Sequence, residues 1–277
     1  MVSLRRMSAI RLASGQVLRS NSRGARRISV PGMELRSASR NATASADQTS
    51  RHTFADRINT PTRGRLALSC IPAAAKAQIG GDLYEVVTTP KGVRLLIGDV
   101  QGKGLASVET AAWVLGAFRE AAYEEDDLSG LGERLETSLA RHLSGETFVT
   151  AVIAEAHDGE ISVLNCGHPP PLVIRHDGRA VLLEPEEDGL PLGLAALGLP
   201  GPKPLRVPFT QGDQMLLYTD GVIEARDGTG AFYPLSDRLA LLGHTDPQRA
   251  LDDLRADLLD HVGGPLPDDA AMLLVGQ

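Results

Sequence analysis

The order of its apolar runs constrains this chain more than any single residue does. From Gly64 onward, short apolar runs at 65–72, 83–88 and Val93 to Ile97 precede two stretches of helical spacing, Leu105 to Tyr123 and Leu128 to His142. In the first, Val108, Ala112, Leu115 and Ala122 recur at helical intervals; in the second, Leu131, Leu135, Leu139 and His142 form one stripe, with Glu133 and Glu136 exposed. Strand-like runs follow at 147–155, 160–165, 171–175, 179–183 and Met215 to Thr219, with a Pro- and Gly-rich loop over 184–204. Helical segments at 236–243 and 247–262 and a closing strand, Ala271 to Val275, complete the order. Strands and helices come in blocks rather than alternating one by one, which excludes a βαβ parallel sheet. The pattern predicts a layered α+β domain with antiparallel sheets.

The first 63 residues have a different texture. They are rich in Arg, Ser, Ala and Thr, and apolar residues are too sparse to offset the entropy of ordering, so a disordered basic arm is expected over 1–63 and a folded domain over 64–277. Residues 1–65 hold 13 Arg against Glu34, Asp47 and Asp56, about +10, while the whole chain is −7, so residues 66–277 carry −17. An acidic body is a poor partner for nucleic acid or anionic lipid and a good one for divalent cations. The arm lacks the interleaved aromatics of a nucleic-acid binder. No apolar run reaches the ~18 residues of a membrane span, and Arg and Ser interrupt every apolar stretch near the start. Cys70 and Cys166 are too few for a disulfide framework and sit in no CxxC or Cys/His cluster, which predicts reduced, buried thiols in a cytoplasmic protein.

Acidic residues gather where apolar runs meet glycines. They are Asp82 in IGGDLYEV, Asp99 in IGDVQGKG, Asp220 in LLYTDGVIEA and the pair Asp268-Asp269 in LPDDAAMLLV. Short carboxylates at rigid strand ends can converge, and convergence of like charges calls for a cation. With oxygen donors and no His or Cys nearby, the expected ion is hard, Mg²⁺ or Mn²⁺. Each motif alone reads as a turn. GDVQGKG in particular lacks the spacing, and the Ser/Thr after Lys, of a phosphate-binding P-loop.

Taken in order, these blocks, with FVTAVI, NCGHPPPLVIR, LPLGL and LYTDGVIEARD, resemble the PPM-type metal-dependent serine/threonine protein phosphatases over residues 66–277. The likeness is to the bacterial branch of the sporulation stage II protein E and the stress-response regulatory phosphatases. The resemblance implies a four-layer α-β-β-α sandwich of two antiparallel sheets flanked by helix pairs, with two Mn²⁺ or Mg²⁺ ions at one end. It implies that Asp99 bridges both ions, that the Val100 carbonyl ligates one, that Asp220 and Asp268 hold the other, and that Asp82 acts through metal-bound waters. Asp269, the second of its pair, would hydrogen-bond nearby. It further implies hydrolysis of phosphoserine or phosphothreonine on a protein partner by a metal-bridging water, the usual partners being anti-sigma-factor antagonists in partner-switching pathways. A pseudophosphatase binding module is the alternative, and the filled carboxylate positions argue against it.

Eukaryotic members carry a His soon after the bridging Asp, whereas Val100-Gln101-Gly102-Lys103-Gly104 has none, as in the bacterial branch, so water is expected to protonate the leaving oxygen. Lys103 reads as a surface lysine at a helix start. His168 reads as a structural residue bonding backbone around its turn, and Thr150 and Thr219 as strand hydroxyls.

Overall fold

Alternation along one strand sets the layering. In β3 (Gly92–Val100), Leu95 and Ile97 point into one apolar cluster and Leu96 and Val100 into another, as the two-residue period of a strand requires. The first cluster lies between two sheets and the second lies under helices. The computed structural model describes residues 65–73, 81–142, 147–157 and 159–277. The arm expected over 1–63 lies outside them.

One sheet has the order β1-β10-β9-β6-β7, formed by Arg65–Ile71, Ala270–Gly276, Gln214–Tyr218, Leu172–Ile174 and Ala180–Leu182. The other has the order β2-β3-β4-β5-β8, with β2 Asp82–Thr89, β4 Val149–His157, β5 Glu160–Cys166 and β8 Leu205–Pro208. Every paired strand is antiparallel. Ile97, Val152, Met215, Leu217 and Leu273 fill the space between the sheets. Helices α1 (Leu105–Glu124) and α2 (Leu128–Leu139) cover the second sheet through Phe118, Leu131 and Leu135. Each of these side chains is fully enclosed and contributes about 1.5–3 kcal/mol. On the outer face of the first sheet, α4 (Pro247–Val262) packs Leu251, Leu254 and Leu258 against Leu216, Met272 and Leu274. The result is the expected four-layer α-β-β-α sandwich.

Local chemistry fixes the helix ends. The Asp127 carboxylate accepts from Gly130 N–H at 2.9 Å to start α2. Asp246 does the same with Gln248 N–H at 3.0 Å for α4, which has Pro247 at its first position and stops at Gly263 with φ 67°. A side chain ends α1. Arg94, fully buried on β3, donates to the carbonyls of Ala122 (3.0 Å) and Glu125 (2.7 Å) and pairs with Glu155 at 2.6 Å.

Four details depart from the sequence reading. The buried face of α1 is Ser107, Thr110, Val114, Phe118, Ala121 and Ala122; of the expected stripe, Ala122 lies on it, whereas Val108, Ala112 and Leu115 are offset. This helix is apolar nearly all round, so spacing cannot choose a face; small Ser107, bonded to Gly104 O at 2.7 Å, lets the helix sit close to the sheet. Helix α2 stops at Leu139, short of His142, whose ring stacks on Trp113 with centroids 4.0 Å apart. The segment expected to be helical over 236–243 forms tight 3₁₀ turns at Leu235–Asp237 and Leu239–Gly243. Finally, β8 follows the Pro/Gly loop unannounced. It survives between Pro204 and Pro208 because it is an edge strand, where a missing N–H is tolerated.

Candidate metal centre

The carboxylates singled out in the sequence meet at one end of the sandwich. Asp82 opens β2 and is the direct cross-strand partner of Asp99, near the end of β3. From the facing sheet, Asp220 begins the four-residue helix α3 (Asp220–Ile223) directly after β9, and Asp268 and Asp269 precede β10. Asp82 feels the charges of Asp99, Asp269 and Asp220, and Asp99 those of Asp220, Asp268 and Asp269.

Two motif glycines make this approach possible. A Cβ at Gly81 would fall 2.6 Å from the Val100 carbonyl oxygen and 2.8 Å from Asp99 Oδ1, and one at Gly221 would fall 1.9 Å from Asp269 O. The glycines of GGD and TDG are thus required for the close packing of backbone around the carboxylates, and a side chain at Gly81 would collide with both the Val100 carbonyl oxygen and Asp99.

The electrostatics are those of a cluster built for a cation. Burial pushes Asp82 up to about 8, reinforced by the charge of Asp99 and opposed by a hydrogen bond from Thr219. Burial likewise pushes Asp99 up to about 7, with Asp220 and Asp268 adding to the rise and Lys103 opposing it. Among the described residues no group of three or more His, Cys, Asp or Glu side chains closes into a metal shell. Two carboxylates are turned to other partners. Asp268 Oδ1 lies 2.6 Å from Lys103 Nζ, and Asp269 Oδ1 accepts from Ala73 N–H at 2.7 Å. The donor set fits a hard dication, because it is all oxygen, anionic and partly desolvated, and a bound cation reverses the repulsion that raises Asp82 and Asp99.

Other residues fall into place around this end. Thr219, fully buried, donates to Asp82 Oδ2 at 2.9 Å and accepts from Ala271 N–H at 2.9 Å. Thr150 is the cross-strand partner of Asp99, and its hydroxyl meets His168 Nδ1 at 3.0 Å. The ring of His168 thus meets a side chain as well as the backbone of Tyr218, and Asn165 closes the turn. Its carbonyl oxygen accepts from His168 N–H at 2.8 Å and its amide donates to His168 O at 2.9 Å. Burial drives the His168 imidazole down to about 3, so it stays neutral at physiological pH. Cys166 is buried with its thiol pushed up to about 12, which removes it as a nucleophile. Cys70, expected to be buried, is exposed.

The model of the family Stage II sporulation protein E (SpoIIE) matches residues 89–276. The chain belongs to this family. SpoIIE membership covers Asp99, Asp220 and Asp268 directly, whereas Asp82 lies ahead of the matched region and joins the centre through its pairing with Asp99. Among solved structures, the RsbU and RsbW domains of Rv1364c from Mycobacterium tuberculosis align at 24% identity and a TM-score of 0.61, over 77% of this chain and 59% of that one. The PP2C phosphatase domain of SpoIIE from Bacillus subtilis, with a fragment of its regulatory domain, aligns at 16% identity and a TM-score of 0.65, over 78% and 63%. The chain thus spans about three-fifths of the length of these two proteins. The catalytic domain of the serine/threonine phosphatase PstP, in complex with two manganese ions, aligns at 15% identity and a TM-score of 0.60, over 77% and 97%. These likenesses establish the PP2C fold for this SpoIIE-family chain.

Sequence reasoning did not find the partnerships of Thr219 with Asp82 or of Lys103 with Asp268. The only signal for Thr219 is a hydroxyl in an otherwise apolar run, LLYT, one residue before Asp220. For Lys103 there is none, since its partner lies on a segment 165 residues away.

Proposed function

We propose that residues 64–277 form a metal-dependent protein phosphatase that hydrolyses phosphoserine or phosphothreonine on a protein partner. The observation that carries this reading is the convergence of Asp82, Asp99, Asp220 and Asp268 from facing sheets, with Asp82 and Asp99 both raised by burial and by neighbouring carboxylates. Family membership and the two manganese ions of PstP support it.

In this reading Asp99 would hold both of two Mn²⁺ or Mg²⁺ ions, the Val100 carbonyl would ligate one, Asp220 and Asp268 would hold the other, and Asp82 would act through ordered waters. When bound, such a pair of ions acidifies and orients an attacking water and neutralises charge on the transferred phosphoryl oxygens. The chain's own work is positional. Thr219 and the β2–β3 ladder fix Asp82 and Asp99, while Asp269, held on Ala73 N–H, steadies the turn that carries Asp268. No protein nucleophile is required, consistent with a Cys166 thiol buried and protonated. The proposed partner is an anti-sigma-factor antagonist in a partner-switching pathway, a reading supported by the joining of RsbU and RsbW domains in Rv1364c. Among the described residues no helix is long and apolar enough to cross a membrane. We place the enzyme in the cytoplasm because two cysteines are too few for a disulfide framework.

The test is hydrolysis of an aryl phosphate, and of phosphoserine, phosphothreonine and phosphotyrosine peptides, with Mn²⁺, with Mg²⁺ and with excess EDTA. Turnover of the first two peptides that requires metal supports the proposal. Full activity in EDTA sinks it, and metal binding without turnover of any substrate favours the pseudophosphatase.

A further inference from the structure

Lys103 sits in the turn between β3 and α1, bracketed by Gly102 and Gly104, both at φ 95°. These left-handed glycines fold the turn back so that the ammonium reaches across to the facing sheet, where Nζ lies 2.6 Å from Asp268 Oδ1. The same oxygen accepts from Asp269 N–H at 3.0 Å, so Asp268 is held in its present orientation by one cation and one backbone donor. Asp269 and Asp99 also attract Lys103. The ammonium is therefore a positive charge that this carboxylate cluster draws on, and it rests on one oxygen of the Asp268 carboxylate.

We infer that Lys103 is a placeholder cation: it neutralises and orients Asp268 while the centre lacks its ion, and it gives up that carboxylate when a dication binds. The inference rests on the reading of Asp268 as a metal ligand. A lysine suits the role because it is a flexible point charge that makes a single contact here and can withdraw without disturbing the fold. The pair is about half exposed (42% for Lys103, 51% for Asp268), so it is weak enough to be displaced. Lys103 thus acts as a positioning residue that sets metal affinity by competition.

The experiment is calorimetric titration of Mn²⁺ into EDTA-treated, dialysed full-length protein, with Mn²⁺ electron paramagnetic resonance as a second readout of free ion. Removing the competitor tightens binding, so Lys103→Ala and Lys103→Gln each bind Mn²⁺ about two- to fivefold more tightly, the range an exposed ion pair supports. Lys103→Arg restores the wild-type affinity. In an Asp268→Asn background the gain from Lys103→Ala shrinks, because the pair it would break is already gone and only the longer-range attraction of Lys103 to Asp99 and Asp269 remains. Equal or weaker Mn²⁺ binding by both neutral variants overturns the inference while leaving the metal centre standing. Wild-type protein that takes up no Mn²⁺ overturns the metal centre and the inference together.

Discussion

One buried hydroxyl joins the two sheets where the carboxylates meet: Thr219, at the end of β9, donates to Asp82 Oδ2 at 2.9 Å and accepts from Ala271 N–H at 2.9 Å. Asp82 belongs to the opposite sheet, so this side chain sets the spacing of the facing sheets at that end. Thr219→Val keeps the shape and removes both bonds. The buried Ala271 N–H loses its acceptor, and the expected loss of stability is about 1–3 kcal/mol by urea denaturation. Mn²⁺ binding weakens as well, because Asp82 loses the bond that favours its charged form. Thr219→Ser retains both properties; a Val variant as stable and as tight-binding as wild type would refute this account.

The raised carboxylates make metal uptake a proton-releasing event. In the metal-free fold Asp82 and Asp99 titrate as a pair near 8 and 7, against an ordinary value near 4 in the unfolded chain. Between those limits the folded state holds more protons than the unfolded state, so the stability of the metal-free protein falls as pH rises from about 4 to about 8. Mn²⁺ binding at pH 6 must expel those protons, up to about two per chain, and at pH 9 almost none. Calorimetry in buffers of different ionisation enthalpy reads the number directly. Zero release at pH 6 would show that neither carboxylate serves the metal, directly or through water.

Asp99→Asn is expected to abolish turnover on an aryl phosphate, since the proposed bridging ligand positions both ions, with an effect of at least about 10²-fold. Cys166→Ala leaves turnover within about threefold, because the thiol is buried and protonated and takes no part in the chemistry. The reverse ranking would replace the metal mechanism with a cysteine one.

Arg94 tests the scaffold independently of the centre. Its guanidinium is fully buried, paired with Glu155 and bonded to the carbonyls that end α1. Arg94→Met leaves Glu155 and those carbonyls without their donor, and about 3–5 kcal/mol of stability is lost. Metal affinity measured below the new melting temperature stays unchanged, because none of these groups belongs to the carboxylate cluster. A loss under about 1 kcal/mol would mean that water replaces the guanidinium.

The sequence alone singled out the candidate carboxylates and the fold class that carries them. Asp82, Asp99, Asp220 and Asp268 stood out because each lies where an apolar run begins or ends, three of them beside a glycine, and a strand end is a local feature that neighbouring residues specify. Blocks of strands and helices, whose periods are also local, pointed to a layered α+β domain with antiparallel sheets, and the family resemblance supplied the four layers. Tertiary structure decided everything that depends on a partner distant in the chain. The buried face of α1 was set by the sheet beneath it, because Ala, Val and Trp surround that helix almost evenly. Strand β8 exists because β5 offers it an edge, despite the prolines around it. The pairing of Lys103 with Asp268 and of Thr219 with Asp82 joins segments 165 and 137 residues apart, and no local pattern encodes such a meeting. The raised affinity of Asp82 and Asp99 for protons has the same origin, since burial and neighbouring charge arise only once the sheets have packed.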